Sequence, residues 1–573
     1  MKHKKIISSI IILLLLLSIT ACRTDNIDEE ITVNYEEESI VYEPIEGGQI
    51  VLPLTNLSTL NPLMTENISY YHFGKLIFEG LFQIGNNLNV IPQLAEDYSI
   101  TNEGKTIAIK LKKGVSWHDG SEFTSKDVGF TISTLKYGKD TSSYYNMFQA
   151  TDDIFSLSGM SIITDFNIVD DYTIDIHFKD GASNNLELLT FPIIPQHVFA
   201  ESKNTFASAL ELENYVPIGT GPYKFVEYEK FKNVSLIAFS GYREGKPYIT
   251  NIDGKVLEDD KLIVTAFETG QLSMANSLGV DWDKYKSNNR IKIIEYISNN
   301  YEFIGFNFEK EIFQEESGLA IRKAINYGID RQAIISKIYL GHASQIDVPI
   351  HPDSWLLTDD ANTYGYSIEK AKEVLNQAKW LDRDNDGILE NENGEKLTIK
   401  ILTNGSNQLR LNTTNMLVDD LKKLGFEVIK DYGETYFESP TDDSVSTQWE
   451  EIERKISEGE FDLVALGWEM AIIPNYSSMF YSVDTELGDN FIRYRNEKMD
   501  ELLLNIHSAT NRDYKKRAYS YLQEFVVNEL PYISLFYKNR ALLVDTRIQG
   551  DLNPTFFNPY NGLENCFIPQ ELR

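Results

Sequence analysis

Asp382, Asp384 and Asp386 stand at alternate positions ahead of Gly387, within Asp382-Arg383-Asp384-Asn385-Asp386-Gly387-Ile388-Leu389-Glu390. Carboxylates at positions 1, 3 and 5 with glycine at 6 are what a loop needs to wrap a hard cation such as calcium. Position 12 is Asn393 and not the bidentate glutamate, and the flanks read as helix then strand. Two readings therefore stand, a structural calcium site and a solvated acidic turn. Neither gives the loop a catalytic group, and no other cofactor is implied.

Enzyme chemistry is poorly served elsewhere. The eight histidines are scattered with no His-Glu-x-x-His pair, and no serine lies between glycines at hydrolase spacing. Paired carboxylates carry no information in a chain this acidic. Gly219-Thr220-Gly221-Pro222-Tyr223 has glycines, but Pro222 removes a backbone donor and no Lys-Ser or Lys-Thr helix follows, so it reads as a junction and not a phosphate cradle. In Trp117-His118-Asp119-Gly120 the Asp-Gly pair forms turns, and the Trp and His are expected to pack that turn.

Several elements must position such residues. Gln49 to Leu54 reads as a strand bounded by glycines, and Lys105 to Leu111 alternates apolar and polar residues like a half-buried strand. Ser125 is expected to cap a helix running through Phe130, Ile132 and Leu135. Helices are expected at Gly318 to Asn326, Asp330 to Tyr339, Ile368 to Lys379 and Gln408 to Leu424. Strands at Phe303 to Phe308, Leu397 to Leu402, Phe426 to Lys430 and Asp462 to Trp468 interleave with them. That alternation predicts an α/β lobe in the second half, joined without a Gly-, Ser- or Pro-rich linker to a strand-richer first half.

The chain has 573 residues, of which 42% are hydrophobic, so a disordered chain is excluded and a large core is affordable. Against 86 Asp and Glu there are 53 Lys and Arg, a formal charge of −33 that repels phosphate backbones and excludes a general nucleic-acid binder. At the N-terminus Lys2-His3-Lys4-Lys5 precedes the apolar run Ile6 to Ile19, which reads as a secretory signal and is shorter than the roughly 20 residues a span requires. It ends in Ile19-Thr20-Ala21-Cys22, which resembles a bacterial lipobox, so Cys22 is the expected lipidation site and an ordinary signal peptide the alternative. The acidic stretch up to Glu46 reads as a solvated tether. These features predict a protein anchored to the outer face of the cytoplasmic membrane of a Gram-positive bacterium.

Ordered blocks along the chain resemble a known family. They are Ile77-Phe78-Glu79-Gly80-Leu81-Phe82, Pro92-Gln93-Leu94-Ala95-Glu96, Leu111 through Thr124, Pro217 through Phe225, Gly245-Lys246-Pro247-Tyr248, Ile321 through Arg331, Leu466-Gly467-Trp468 and Asn490 through Asn496. The set is similar to the family 5 extracellular solute-binding proteins, the oligopeptide, dipeptide and nickel receptors of ABC importers. The resemblance implies an α/β, two-lobed periplasmic-binding-protein-like flytrap of type II, cluster C, with a subdomain inserted in the first lobe. It places the signal at 1–21, the tether at 22–46, the first lobe at 47–84, 206–300 and 536–573, the inserted subdomain at 85–205 and the second lobe at 301–535. The implied partners are an oligopeptide and the permease subunits of an ABC transporter, for a monomeric receptor that breaks no bond. A nickel chelate, a glycan or a signalling peptide is the alternative ligand, and a lipid-anchored surface hydrolase the alternative class.

For the site, the resemblance implies that Gly467, Trp468, Glu469 and Asn307 contact ligand. A core aromatic is the competing reading of Trp468, and a strand-end hydrogen bond that of Asn307. Peptide-binding relatives commonly place an aspartate after this tryptophan to pair with the ligand's α-ammonium. None occurs between Trp468 and Tyr476, and Ile473 holds the position before the proline. Glu469, or another acid, is then expected to supply the counter-charge, or the ligand has no free amine there.

Overall fold

The computed structural model describes residues 42–144, 163–181, 185–358, 364–432, 442–472, 476–482 and 490–573. The expected signal segment, Cys22, the tether as far as residue 41, and Ile473 lie outside the described residues.

Two long strands organise the molecule. Ile291–Phe306 pairs antiparallel with Tyr532–Asp545, first through Ile291 to Ile297 opposite Asn539 to Asp545, then through Tyr301 to Gly305 opposite Tyr532 to Tyr537. The register shifts between Ile297 and Tyr301, and such an irregularity bends the ribbon and increases its twist. On one side of the bend Leu542 and Val544 join a core containing Leu52, Phe73, Ile107 and Trp117. On the other, Tyr301, Phe303, Tyr532 and Tyr537 join a core with Leu503 and Tyr519, while Phe306 and Ile533 join one with Ile325 and Leu417. A single strand pair thus serves two lobes, and each face of its second half is buried, which is why Tyr301-Glu302-Phe303-Ile304-Gly305-Phe306 does not alternate.

In the first lobe Gln49–Thr55 lies parallel to Asn251–Leu257, followed by antiparallel Asn233–Ala238 and Tyr223–Glu229. A second sheet, ordered Ala95–Thr101, Thr106–Leu111, Thr173–Phe178, Ile163–Asp170, carries the helix Ser125–Tyr137. In the second lobe Leu463–Glu469 pairs with Ile291–Phe306 on one side and parallel to Thr398–Leu402 on the other, with Glu427–Asp431 beyond. Helices Glu315–Gly328, Arg331–Ile338, Ile368–Gln377 and Gln408–Lys423 complete this α/β layer, each within a few residues of its expected span. Among the described residues no helix is long and apolar enough to cross a membrane.

Two local expectations are corrected. Thr124 and not Ser125 caps the first-lobe helix, its N–H donating to Asp127 Oδ2 at 2.9 Å, while the Ser125 hydroxyl donates to Asp170 O at 2.6 Å. The strand expected through Phe308 ends at Phe306, because Asn307 turns the chain. Its Nδ2 donates to Gly459 O and Phe461 O at 3.2 and 3.0 Å, and its Oδ1 accepts from Glu309 N–H at 3.1 Å. Asn307 is fully buried with its amide consumed by backbone, so the strand-end reading is the one the geometry supports.

Candidate ligand-binding cavity

The segment that follows helix Ile68–Gly74 is fixed by backbone bonds to the glycine-rich block. Gly221 N–H donates to Ile77 O and Tyr223 N–H to Leu76 O, both at 2.9 Å. A Cβ on Gly219 would lie 1.8 Å from Ile77 O, so only glycine fits there. His118 closes the junction from the other motif, with Nδ1 accepting from Gly219 N–H at 3.2 Å and Nε2 3.0 Å from Gly221 O. Accepting at Nδ1 places the proton on Nε2 in the neutral ring.

This junction aims Glu79 at a cavity of about 240 Å³ between the lobes. Thr220 Oγ1 donates to Glu79 Oε2 at 2.8 Å and Arg243 Nη1 to the same oxygen at 2.6 Å, while Oε1 is buried without a donor among the described residues. Burial pushes the Glu79 carboxyl above its ordinary value despite Arg243. Arg243 also donates to Glu244 at 3.1 Å. Glu564 also lines the cavity and, among the described residues, no cation lowers it; burial raises its carboxyl, and the charges of Glu244 and Glu79 add to the shift. Lys75, its ammonium 4.5 Å over the Tyr71 ring, is the remaining cation of the wall. Three carboxylates against two cations leave the wall net acidic.

The second lobe reaches this space through Ile472, and Met470, Ala471 and Ile472 border a smaller adjoining void with His351, Trp355 and Tyr519. Met470 is held at the bend by reciprocal bonds with Asn299, at 2.9 and 3.1 Å. The residues expected to meet ligand lie earlier on the same strand. Trp468 packs its ring 4.4 Å from Phe303 and 5.6 Å from Tyr532, on the second-lobe core. Glu469 is exposed and accepts from Asn300 Nδ2 at 3.1 Å. Gly467 is a floor under a buried ion pair, since a Cβ there would lie 2.5 Å from Arg410 Nη2 and 2.7 Å from Glu302 Oε1. None of these three borders either cavity among the described residues. Sequence reasoning missed Glu79, although it lies inside a quoted block, and missed Arg243 and Glu564, which carry no periodic or spacing signal.

The family model for bacterial extracellular solute-binding proteins, family 5, middle, matches residues 89–490. The chain belongs to that family. The oligopeptide-binding protein AppA of Bacillus subtilis is 26% identical over 516 residues, 89% of each chain. The structure of that protein in complex with a nonapeptide aligns with 92% of this chain and all of its own, with TM-score 0.57 and 25% identity. The substrate-binding protein CtaP of Listeria monocytogenes aligns with 92% of this chain and all of its own at TM-score 0.71 and 22% identity, which shows the shared two-lobed fold.

This family 5 protein also buries histidines. Burial lowers His72 to about 3, His118 to about 4 and His351 to about 4, against 6.5 for the free ring. All three are neutral when folded at neutral pH, whereas the unfolded chain protonates them as pH falls through 6.5. Stability is therefore expected to fall between pH 6.5 and about 4, by up to about 1.4 kcal/mol per pH unit for each ring. The raised carboxyls Glu79 and Glu564 oppose this, since their contribution is present at low pH and lost as pH rises above the free value. Urea denaturation at half-unit pH steps of the wild type and of His351→Asn measures the slope, and identical slopes from pH 6.5 to 4.5 refute the His351 contribution. The free thiol of Cys566 is inert by comparison, buried and pushed up to about 12 by that burial.

Proposed function

We propose that the chain is an extracellular receptor that captures peptides between its lobes and delivers them to the permease of an ABC transporter, without chemistry on the ligand. Cys22 is its lipid anchor in this reading, on the outer face of the cytoplasmic membrane. The lobes are proposed to hinge at the bend near Ile297 to Tyr301, with the boundaries given by the resemblance, and to close on a ligand that binds the closed form better. Named relatives that bind oligopeptides support the peptide class.

The observation that carries the reading is the cavity wall with a carboxylate, Glu564, that no cation of the wall neutralises. It supplies the counter-charge that the sequence lacks after Trp468, and it replaces Glu469 in that role because Glu469 points elsewhere. A ligand ammonium there completes the charge balance of the wall.

Native mass spectrometry of protein recovered from its host identifies the bound ligand, and calorimetry then compares that ligand free and N-acetylated. Glu564→Gln is expected to weaken the free-amine ligand about tenfold, the worth of one charge-assisted hydrogen bond, and to leave the acetylated form unchanged. Glu469→Gln is expected to leave both unchanged. Equal affinity of wild-type protein for the two forms overturns the Glu564 role, and a recovered ligand that is not a peptide overturns the peptide assignment.

A further inference from the structure

The acidic loop between helix Ile368–Gln377 and strand Thr398–Leu402 is a closed structure with a desolvated ligand. Leu381 and Glu390 bridge it by reciprocal backbone bonds at 3.0 and 2.9 Å, and Leu389 N–H ties it to Gly425 O at 2.9 Å. Gly387 turns the chain at φ +90°, in the left-handed region. One carboxylate oxygen from each of Asp382, Asp384, Asp386 and Glu390 lies within 4.8 Å of the others. Oxygens bound to calcium lie 2.3–2.6 Å from the ion, so ligands across it stand about 4.8 Å apart, whereas magnesium draws them to about 4.2 Å.

Glu390 is the independent observation. The three aspartates are exposed, but Glu390 is only 4% exposed. Its Oε2 accepts from Arg383 N–H at 2.8 Å, and its Oε1 is buried with no donor among the described residues. A carboxylate oxygen taken from water and given no partner is unfavourable by itself, and a cation at the centre of the cluster removes that penalty. The local charges point the same way. The Arg383 guanidinium turns outward to Asn391 O and Lys379 O at 3.1 and 3.2 Å. Among the described residues only the Lys396 ammonium, paired with Asp386 Oδ2 and 41% exposed, answers the four carboxylates.

We propose that the loop Asp382–Glu390 binds one calcium ion through the carboxylates of Asp382, Asp384, Asp386 and Glu390. Glu390, at position 9, takes the place left by Asn393 at position 12, and Lys396 swings away on its flexible stem when the ion enters. The ion is structural. It fastens the loop to the turn at Gly425 and lies outside the cavity-lining segments, so ligand affinity does not depend on it.

The test is calorimetric titration of the chelator-dialysed full chain with calcium chloride, alongside thermal melts and terbium luminescence excited through Trp380, two residues before Asp382. One ion per chain is expected, with Kd in the range of about 10⁻⁴ to 10⁻³ M found for extracellular modules, and a melt that rises with calcium. Asp384→Asn, at an exposed position that does not endanger folding, and Glu390→Gln are each expected to weaken binding about tenfold or more. Lys396→Met is expected to tighten it by removing the competing ammonium. No heat and no rise in the melt at 10 mM calcium, roughly ten times the weaker limit, overturns the proposal. So does binding that Glu390→Gln leaves unchanged, which would mark a solvated acidic turn that attracts cations without a built site.

Discussion

Arg410→Met is expected to destabilise the second lobe by up to about 3–5 kcal/mol, the cost of removing the bidentate partner of a buried carboxylate and leaving it Lys538 alone. Arg410 Nε and Nη2 donate to the two oxygens of Glu302 at 2.8 and 2.9 Å, the bidentate geometry that suits guanidinium to carboxylate. Its Nη1 donates to Asn404 Oδ1 at 2.9 Å, and Lys538 approaches Glu302 Oε1 at 3.0 Å. Burial would raise the Glu302 carboxyl, but the charges of Arg410 and Lys538 outweigh it and hold the group below its ordinary value. Its contribution is therefore present above the free carboxyl value and lost as pH falls through the depressed one. The three residues come from the two hinge strands and helix Gln408–Lys423, so the pair fastens the helix to the sheet just beside the bend. Removing the Glu302 and Arg410 charges together, as Glu302→Leu with Arg410→Met, is expected to recover part of the loss, because the apolar pair has no desolvation penalty and Lys538, 21% exposed, is left to turn to water. Chemical denaturation of the single and double variants measures this. A single variant within about 1 kcal/mol of wild type, the ordinary worth of an exposed pair, would show that water reaches Glu302.

The same residues show how far the sequence could be read. Cap candidates and the interleaving of apolar runs with helices located the second-lobe elements, because each is a local pattern. The bend is different in kind. Ser298, Asn299 and Asn300 interrupt the pairing of Ile291–Phe306 with Tyr532–Asp545, and nothing in the order of residues states which strand lies opposite. That interruption sets where Leu463–Glu469 leaves the sheet. It is why Met470 to Ile472 and not Trp468 and Glu469 arrive between the lobes. Gly467 was expected to contact ligand, yet a Cβ there would meet the guanidinium of Arg410, 57 positions earlier. The cavity wall was illegible for the same reason: Glu79, Arg243 and Glu564 meet only through first-lobe topology. Glu79 was visible as part of a block, but its partners were not.

The largest effect on ligand binding is expected at a contact between the lobes, on the wall of the smaller void. Lys515, on helix Arg512–Glu529 of the second lobe, places Nζ 2.8 Å from Glu187 Oε1 of the first, and the two residues are 6% and 8% exposed. Trp355 N–H donates to Asn87 O at 2.9 Å beside it, and Arg512 lies 4.1 Å over the Trp355 ring while bonding Asn89. In the proposed flytrap these groups are hydrated when the lobes part and desolvated when they meet. Glu187→Gln then removes the carboxylate that meets the Lys515 ammonium in the closed form, a loss of up to about 3–5 kcal/mol that falls on closure and not on the fold of either lobe. Observed affinity is the intrinsic affinity multiplied by the closed fraction, so ligand is expected to bind about 100-fold or more weakly, chiefly through faster dissociation. Calorimetry with the recovered ligand measures the loss, and melts of the unliganded protein are expected to move little. The reversed pair, Glu187→Lys with Lys515→Glu, is expected to restore much of the affinity, which a purely steric role for either side chain would not allow. Wild-type affinity in Glu187→Gln would mean that the Glu187–Lys515 pair stays hydrated in the closed form, and that closure rests on the cavity and the Asn87–Trp355 contact instead.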